Sequence, residues 1–322
     1  MTRYILRRLA IIPVVFLGVH FLGFAYAHLV LPTRAFRNPF IASQIQSEPL
    51  WPTYIAYLQR VVHLDLGSMP AVWGGRGEAP LGQVILQASL ASFGLLAIAL
   101  ALSVFFGLIF GLRAARADPP SVARWMTSLS TVGMAMPTFF IASLFYAAWF
   151  LYVLWGRRGA ISIPLSGFGW DSHLIMPALV LMARPAVQIA QVIAGLLSDE
   201  LGKQYVVAAR SFGHSWRAIR QRHALFNILA PIVLAIAASV RLLVGELIVV
   251  EWFFKWPGLG NLLAQTLIPS GIAEGRGLEV GQSLFLNPPV VAAVLAVFTA
   301  LFLLTDLVAS VLVRVLDPRL RD

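Results

Sequence analysis

The sequence predicts an all-α protein that crosses a membrane six times, and two observations carry that prediction. Apolar residues fill 59% of 322 positions and charged residues 12%, with a mean hydropathy of +0.82; soluble domains carry about 25% charged residues. Six apolar stretches are also long enough, or nearly so, to cross roughly 30 Å of hydrocarbon. They fall at residues 9–31, 81–112, 125–155, 174–197, 227–250 and 289–313.

The first stretch imitates a cleavable leader, with Arg7-Arg8, an apolar run and then Ala25-Tyr26-Ala27. Its apolar run continues through Leu31, longer than a leader's core, so it reads as an uncleaved N-terminal transmembrane helix over residues 1–31. Residues 32–80 form an external segment. Within it Tyr54, Ile55, Leu58, Val61 and Val62 mark one face of an amphipathic helix ending near Asp65-Leu66-Gly67. Trp51 and Tyr57 suit a membrane interface. The Gly- and Pro-rich run from Pro70 to Pro80, with Gly74, Gly75 and Gly77, reads as a loop.

The remaining five spans form one core over residues 81–322, within which Gly107 and Gly111 have the spacing of close helix packing, although ordinary packing is the default expectation. Pro137, Pro177, Pro185 and Pro231 are expected to kink spans or free carbonyls that neighbours then satisfy. Six spans put both termini on one side. Fourteen Lys and Arg residues lie on that side and eight on the other, whose segments are longer; Arg184 and Arg241 lie inside spans. The bias makes the terminal side cytoplasmic. The net charge of +10 is therefore topological charge, and no nucleic-acid partner is expected. The absence of cysteine excludes structural disulfides, thiol catalysis and thiolate metal sites. The six scattered histidines read as satisfied or solvated side chains.

Between the fourth and fifth spans, residues 199–224 are comparatively polar. Tyr205, Ala208, Ala209 and Phe212 stand at i, i+3, i+4 and i+7, so a short helix would present one narrow stripe. Gly213 fits the position just past its end, Arg210 lies in its last turn, and Asp199 with Glu200 fits its positive N-terminal end. Such a helix is too short to be stable alone, which suggests docking into a partner's groove. Enzyme signatures are missing: there is no HExxH, no GxSxG and no GxxxxGK[ST] loop. The chain is expected not to be an enzyme, and ATP-driven uptake would draw its energy through another subunit.

Charged residues inside spans form a third set, because each costs about 2.5–3.5 kcal/mol near a bilayer centre. They are Arg184, Arg241, Glu246, Glu251 and Asp306. Arg184 is expected to pair with Glu246 or Glu251, as a structural tie or as a polar lining of a pathway. After Glu251, an aromatic stretch ends in Trp256-Pro257-Gly258-Leu259-Gly260, which cannot continue a straight helix and is expected to fold back.

These residues together resemble the inner-membrane permease subunits of the peptide/nickel class of ABC importers, specifically the first of the two permeases. The likeness rests on Tyr205 to Gly213 with Arg222-His223-Ala224-Leu225, Asn227 and Pro231. It rests equally on Glu251, Phe254 and Trp256 to Gly260, on Asp306 with Leu316-Asp317-Pro318-Arg319, and on Met176-Pro177-Ala178-Leu179 and Asp65-Leu66-Gly67.

The resemblance implies a type I importer permease fold, a second homologous permease, and two ATPases that hold ATP and Mg, with no cofactor on this chain. It further implies an external solute-binding protein and a bacterial or archaeal cytoplasmic membrane. Tyr205, Ala208, Ala209, Arg210, Phe212 and Gly213 would couple to the ATPases, while Trp256, Pro257, Gly258 and Gly260 would lie near an outer gate. Val207 stands where many importers carry a glutamate, so the coupling role is expected to rest on Ala208, Ala209 and Gly213. Residues 268–289 are longer and richer in glycine than the resemblance suggests. Peptides are the expected cargo, ahead of nickel, glutathione or another small solute; a secondary transporter would show inverted repeats and paired broken helices.

Overall fold

The computed structural model describes residues 2–35, 48–73, 77–155, 164–268 and 284–316. Expectations placed on Gly74 and Gly75, on most of 268–289, and on Asp317 to Arg319 lie outside these residues. In chain order the helices are α1 (Thr2–Ala35), α2 (Leu50–Val62), α3 (Leu81–Ala114), α4 (Arg124–Ala135), α5 (Thr138–Leu154), α6 (Ile175–Leu201), α7 (Gln204–Ser211), α8 (Trp216–Ile219), α9 (Leu229–Phe253), α10 (Leu259–Leu267) and α11 (Pro288–Leu316). Among the described residues, two antiparallel pairs of three-residue strands accompany them, Ser68–Pro70 with Glu78–Pro80 and Ala115–Ala117 with Pro120–Val122.

Among the described residues, five segments are long and apolar enough to cross a membrane: Ala10–Thr33, Leu81–Ala114, Ser172–Leu201, Leu229–Phe253 and Pro288–Leu316. The sixth expected span, 125–155, consists of two helices bent by 98°, which together are apolar and long enough to count as one span. Pro137 is the cause. It lacks an N–H for the helix ladder and pushes its predecessor out of helical geometry, and Met136 accordingly sits at φ −77° and ψ 122°. Pro185, by contrast, lies inside a continuous α6.

The chain divides into two compact units. One comprises Gly94–Phe254 with Leu304–Asp322. Its core is built on one stripe of α6, where Ile189, Ala190, Ile193, Ala194 and Leu197 are all fully buried. Spacings of three and four residues put them on one face. Gly107 and Gly111 of α3 meet that face at close range, beyond the default expectation of ordinary packing. A methyl group added at Gly107 would lie 2.6 Å from Ile189 Cγ2, and one at Gly111 would lie 2.8 Å from the Ala190 carbonyl oxygen. Gly111→Val is therefore expected to destabilise the permease by about 1–3 kcal/mol through overpacking against backbone. Thermal unfolding of the purified variant in nanodiscs checks this, and an unchanged midpoint would contradict it.

The other unit comprises Thr2–Phe93 with Lys255–Leu303. Here α2 lies against α1. Phe24, Tyr54, Tyr57 and Ala292 form a buried cluster, the His20 ring stacks on Tyr57, and its Nδ1 pairs with the Tyr54 hydroxyl at 3.1 Å. The amphipathic helix exists where expected, but its inward face is Tyr54, Tyr57, Leu58 and Val61, with Ile55 and Val62 exposed. Tyr57 is fully buried rather than interfacial, because aromatic stacking against α1 covers more of the ring than an interface would. Burial pushes its hydroxyl pKa up to about 12. Trp51 remains exposed, with one face stacked on Phe21.

Candidate functional site

The polar segment after α6 folds as two short helices closed by a tight turn. At the end of α7 the Gly213 N–H donates to the Arg210 carbonyl at 2.9 Å and the His214 N–H to the Ala209 carbonyl at 3.1 Å. This pair of bonds is the Schellman cap, which requires a left-handed residue at the position Gly213 occupies; its φ is +85°. Ser215 then caps α8 by accepting from the Ala218 N–H at 3.2 Å. A π-helical turn, Arg220–Ala224, and a short helical turn, Leu225–Asn227, lead into α9.

The rotation of α7 differs from the expected single stripe. Val206 is fully buried in the hydrophobic cluster that also holds Leu197, Leu201 and Ile219, and Tyr205 and Ala209 pack against that cluster. Burying Val206 turns Ala208 outward, and Phe212 lies past the last helical turn. The two residues therefore do not share a face with Tyr205 and Ala209. What the segment presents outward is Val207, 68% exposed, together with Ala208 and Phe212, 83% exposed. Val207, set aside on sequence grounds, is part of this apolar patch. Arg210 is pinned, its guanidinium 4.8 Å from the Trp216 ring centroid and its Nη1 donating to the His214 carbonyl at 3.0 Å.

Asp199 and Glu200 do not start a helix; they occupy the last turn of α6. A carboxylate there opposes the helix dipole, so Glu200, nearly fully buried, needs partners. It has three: the Tyr205 hydroxyl donates to Oε1 at 3.0 Å, Asn227 Nδ2 donates to Oε1 at 2.8 Å, and Lys203 Nζ lies 2.5 Å from Oε2. One side chain thus ties the end of α6 to α7 and to the turn before α9. Burial, followed by the bond to Glu200, raises the Tyr205 hydroxyl pKa to about 12. Arg220 makes a second tie, donating through Nη1 to the Leu112 carbonyl at 3.2 Å and through Nη2 to the Ala115 carbonyl at 3.3 Å. Sequence reasoning missed the joint role of Glu200, Asn227 and Arg220; the available signal was an acidic residue inside a helix's final turn.

Among the described residues in the spans of this unit, four charged side chains form two separate pairs. Arg184 of α6 donates through Nη1 to Glu246 Oε1 of α9 and through Nη2 to the Met134 carbonyl at 3.4 Å, just before the break at Pro137. The two side chains are 23% and 8% exposed. Arg184 therefore takes Glu246 of its two expected partners, and Glu251 is fully buried further along α9. The second pair, not expected from the sequence, joins Arg241 Nη1 of α9 to Asp306 Oδ1 of α11 at 2.5 Å, with both side chains 49% exposed.

α9 ends at Phe253, Lys255 takes a positive φ of 53°, and α10 begins at Leu259. In the second unit Trp256 is fully buried and its indole N–H donates to the Ala91 carbonyl at 3.0 Å. The Leu259 N–H donates to Ser92 Oγ at 2.7 Å, and Asn261 Nδ2 returns to the Trp256 carbonyl at 2.7 Å. Pro257 and Gly258 carry the chain between these anchors, with Gly258 extended at φ −108° and ψ −177° and Gly260 buried in the first turn of α10. Each polar group named here has a partner, as buried polar groups require.

Comparison with known proteins agrees with this architecture. Residues 103–322 match the family described as "Binding-protein-dependent transport system inner membrane component". The chain is 27% identical to the dipeptide transport system permease protein DppB of Escherichia coli K12 over 358 aligned positions, covering 100% of this chain and 99% of the relative. It is 23% identical to the oligopeptide transport system permease protein AppB of Bacillus subtilis, covering 99% of each. To the glutathione transport system permease protein GsiC of Escherichia coli O6:H1 it is 27% identical, covering 100% of this chain and 99% of the relative.

Proposed function

The chain belongs to the family of binding-protein-dependent transport system inner membrane components, and we propose that it forms half of the pathway of an ATP-driven importer of short peptides. Membership makes it a multi-pass inner-membrane permease subunit rather than an enzyme. The finer reading adds a second permease, two ATPases bound on the side of the chain termini, and a solute-binding protein opposite. Short peptides lead because two of the relatives are named for dipeptide and oligopeptide transport; glutathione, itself a small peptide, is the cargo in another's name.

The observation that carries the coupling role is the outward patch of Val207, Ala208 and Phe212 on a segment tied by Glu200 to both adjoining spans. A large aromatic left in water beside two small apolar side chains suits an anchor in a partner's groove. Because Glu200 joins α6, α7 and the start of α9, a push on α7 reaches both spans without crossing a flexible link. Expression with the neighbouring importer subunits tests this reading. The expected result is a complex with one sister permease and two ATPases that takes up a radiolabelled dipeptide only with ATP. A chain that purifies alone and carries dipeptide along an ion gradient would refute it.

A further inference from the structure

We infer that Arg220 is a positioning residue that makes the end of α3 a third partner in the movement of the segment between α7 and α9, so that a push on α7 reaches α3 as well as α6 and α9. The inference rests on the docking role proposed for α7 and adds to it a span and the residue that recruits that span.

The end of α3 needs partners, because the last four carbonyls of a helix find none within it. α3 stops at Ala114, where the strand Ala115–Ala117 begins, and the Ala123 N–H donates to the Ala114 carbonyl at 2.8 Å. Arg220 supplies donors for two more carbonyls, Leu112 in the last turn and Ala115 just beyond it, at 3.2 and 3.3 Å. One planar fork thus holds both sides of the helix end, and its charge sits where the helix dipole favours a cation. Apolar contact backs the polar one. Ile219, next to Arg220, is buried in the same cluster as Ala115, with Leu112 and Ala117 packed against it. The π-helical turn Arg220–Ala224 serves this placement. Ile219 and Ala224 both lie in that cluster; an α-helix would turn residues five apart about 140° away from each other, whereas a π turn bonds residues five apart and brings them onto one face.

The cap on α3 comes from 108 residues away rather than from the loop that follows the helix. A cap drawn from that loop would close α3 without connecting it to anything. Glu200 fixes α7 to α6 and to the turn before α9, and Arg220 fixes the next stretch of the same segment to α3. α7 and α8 lie between these two ties. A displacement of α7 is therefore shared by three spans, and removing the fork of Arg220 releases α3 from the other two.

The chain contains no cysteine, so spin labels go only where they are placed: Arg116→Cys in the strand after α3 and Arg217→Cys in α8, both exposed. Pulsed electron paramagnetic resonance measures their separation in the complete importer in nanodiscs, built with cysteine-free partner subunits. The states compared are nucleotide-free and trapped with ATP and vanadate. With Arg220 in place the separation is expected to hold within about 1–2 Å, the range over which packed helices adjust. Arg220→Lys keeps the cation and loses the fork, and its separation is expected to change by more than that between the two states. ATP hydrolysed per dipeptide imported is expected to rise about tenfold in Arg220→Lys, as for one lost charge-assisted hydrogen bond, with KM unchanged and the ATPases attached. A residue that served stability alone would leave that ratio untouched in the assembled complex. A shift beyond that range with Arg220 in place would overturn the inference, as would a separation or a ratio in Arg220→Lys equal to those with Arg220. If Arg220→Lys does not assemble, the separation with Arg220 in place decides alone, in the same two directions. A wild type that binds no ATPases would defeat the permease reading; attached ATPases with a separation that shifts would defeat only the role of Arg220.

Discussion

Arg184→Met is expected to cost the folded permease about 3–5 kcal/mol, because it leaves the Glu246 carboxylate buried without its cation. Glu246 is only 8% exposed and sits on the span that α6 packs against, so water cannot take the place of the lost guanidinium. Methionine keeps much of the side-chain length, which confines the loss to charge and hydrogen bonding. The Met134 carbonyl also loses its donor at the edge of the broken span. A double variant, Arg184→Met with Glu246→Leu, removes both charges and is expected to recover most of the stability, since apolar replacements of buried pairs are often neutral or better. Glu246→Gln keeps an acceptor for Arg184 and should lower assembly and transport together, in step with each other. Thermal unfolding in nanodiscs, read as a double-mutant cycle, measures the coupling between the two side chains. A single variant as stable as the wild type would show that the pair is not a tie. Normal stability of Glu246→Gln with uptake abolished would move Glu246 from structure into the pathway.

The expected spans were legible because membrane burial imposes long apolar runs that no soluble helix needs. Five of the six match observed helices to within a few residues, and the sixth, a span if the bent pair counts as one, breaks at Pro137, a residue already marked as a disruptor. A run of hydropathy cannot tell a kink from a right-angle break, since that depends on whether neighbours satisfy the freed backbone. The polar segment shows a different limit. Its short helix, the Gly213 cap and the terminal Arg210 follow from local rules, whereas the rotation of α7 is set by Val206 joining a buried cluster built by other elements, Leu197 and Ile219 among them. Nothing at positions 205–213 alone announces that choice. The ion pairs divide in the same way. Arg184 and Glu246 were candidates because charges inside spans need partners. Arg241 and Asp306, 65 residues apart, become a pair only once α9 and α11 lie side by side. Glu200 was visible as an acid but was assigned to the wrong helix end, because α6 runs to Leu201.

Gly213→Leu is expected to uncouple the importer while leaving the permease in the membrane. Gly213 stands at φ +85°, where a leucine side chain costs roughly 1–2 kcal/mol. Space is not the obstacle, for an added Cβ meets nothing within 4 Å; the penalty is wholly conformational and falls on the cap. Relief requires the turn to open, which breaks the bonds from Gly213 and His214 and swings Phe212 away from Val207 and Ala208. The spans do not share in that change, since the core of α6 is built from Ile189, Ile193 and Leu197. Membrane-inserted yield should therefore hold while ATPase co-purification and dipeptide uptake fall together. Phe212→Ala tests the same contact without backbone strain. If the ring is an anchor, its removal costs at least about 2 kcal/mol of attachment, or roughly thirtyfold. Asparagine tolerates left-handed backbone far better than leucine, so Gly213→Asn should retain most of the uptake that Gly213→Leu loses. Full ATPase attachment and full uptake in both Gly213→Leu and Phe212→Ala would place the docking site elsewhere on the chain. Equal loss in Gly213→Asn and Gly213→Leu would instead implicate the bare backbone at Gly213 as a direct contact, because strain alone separates those two variants.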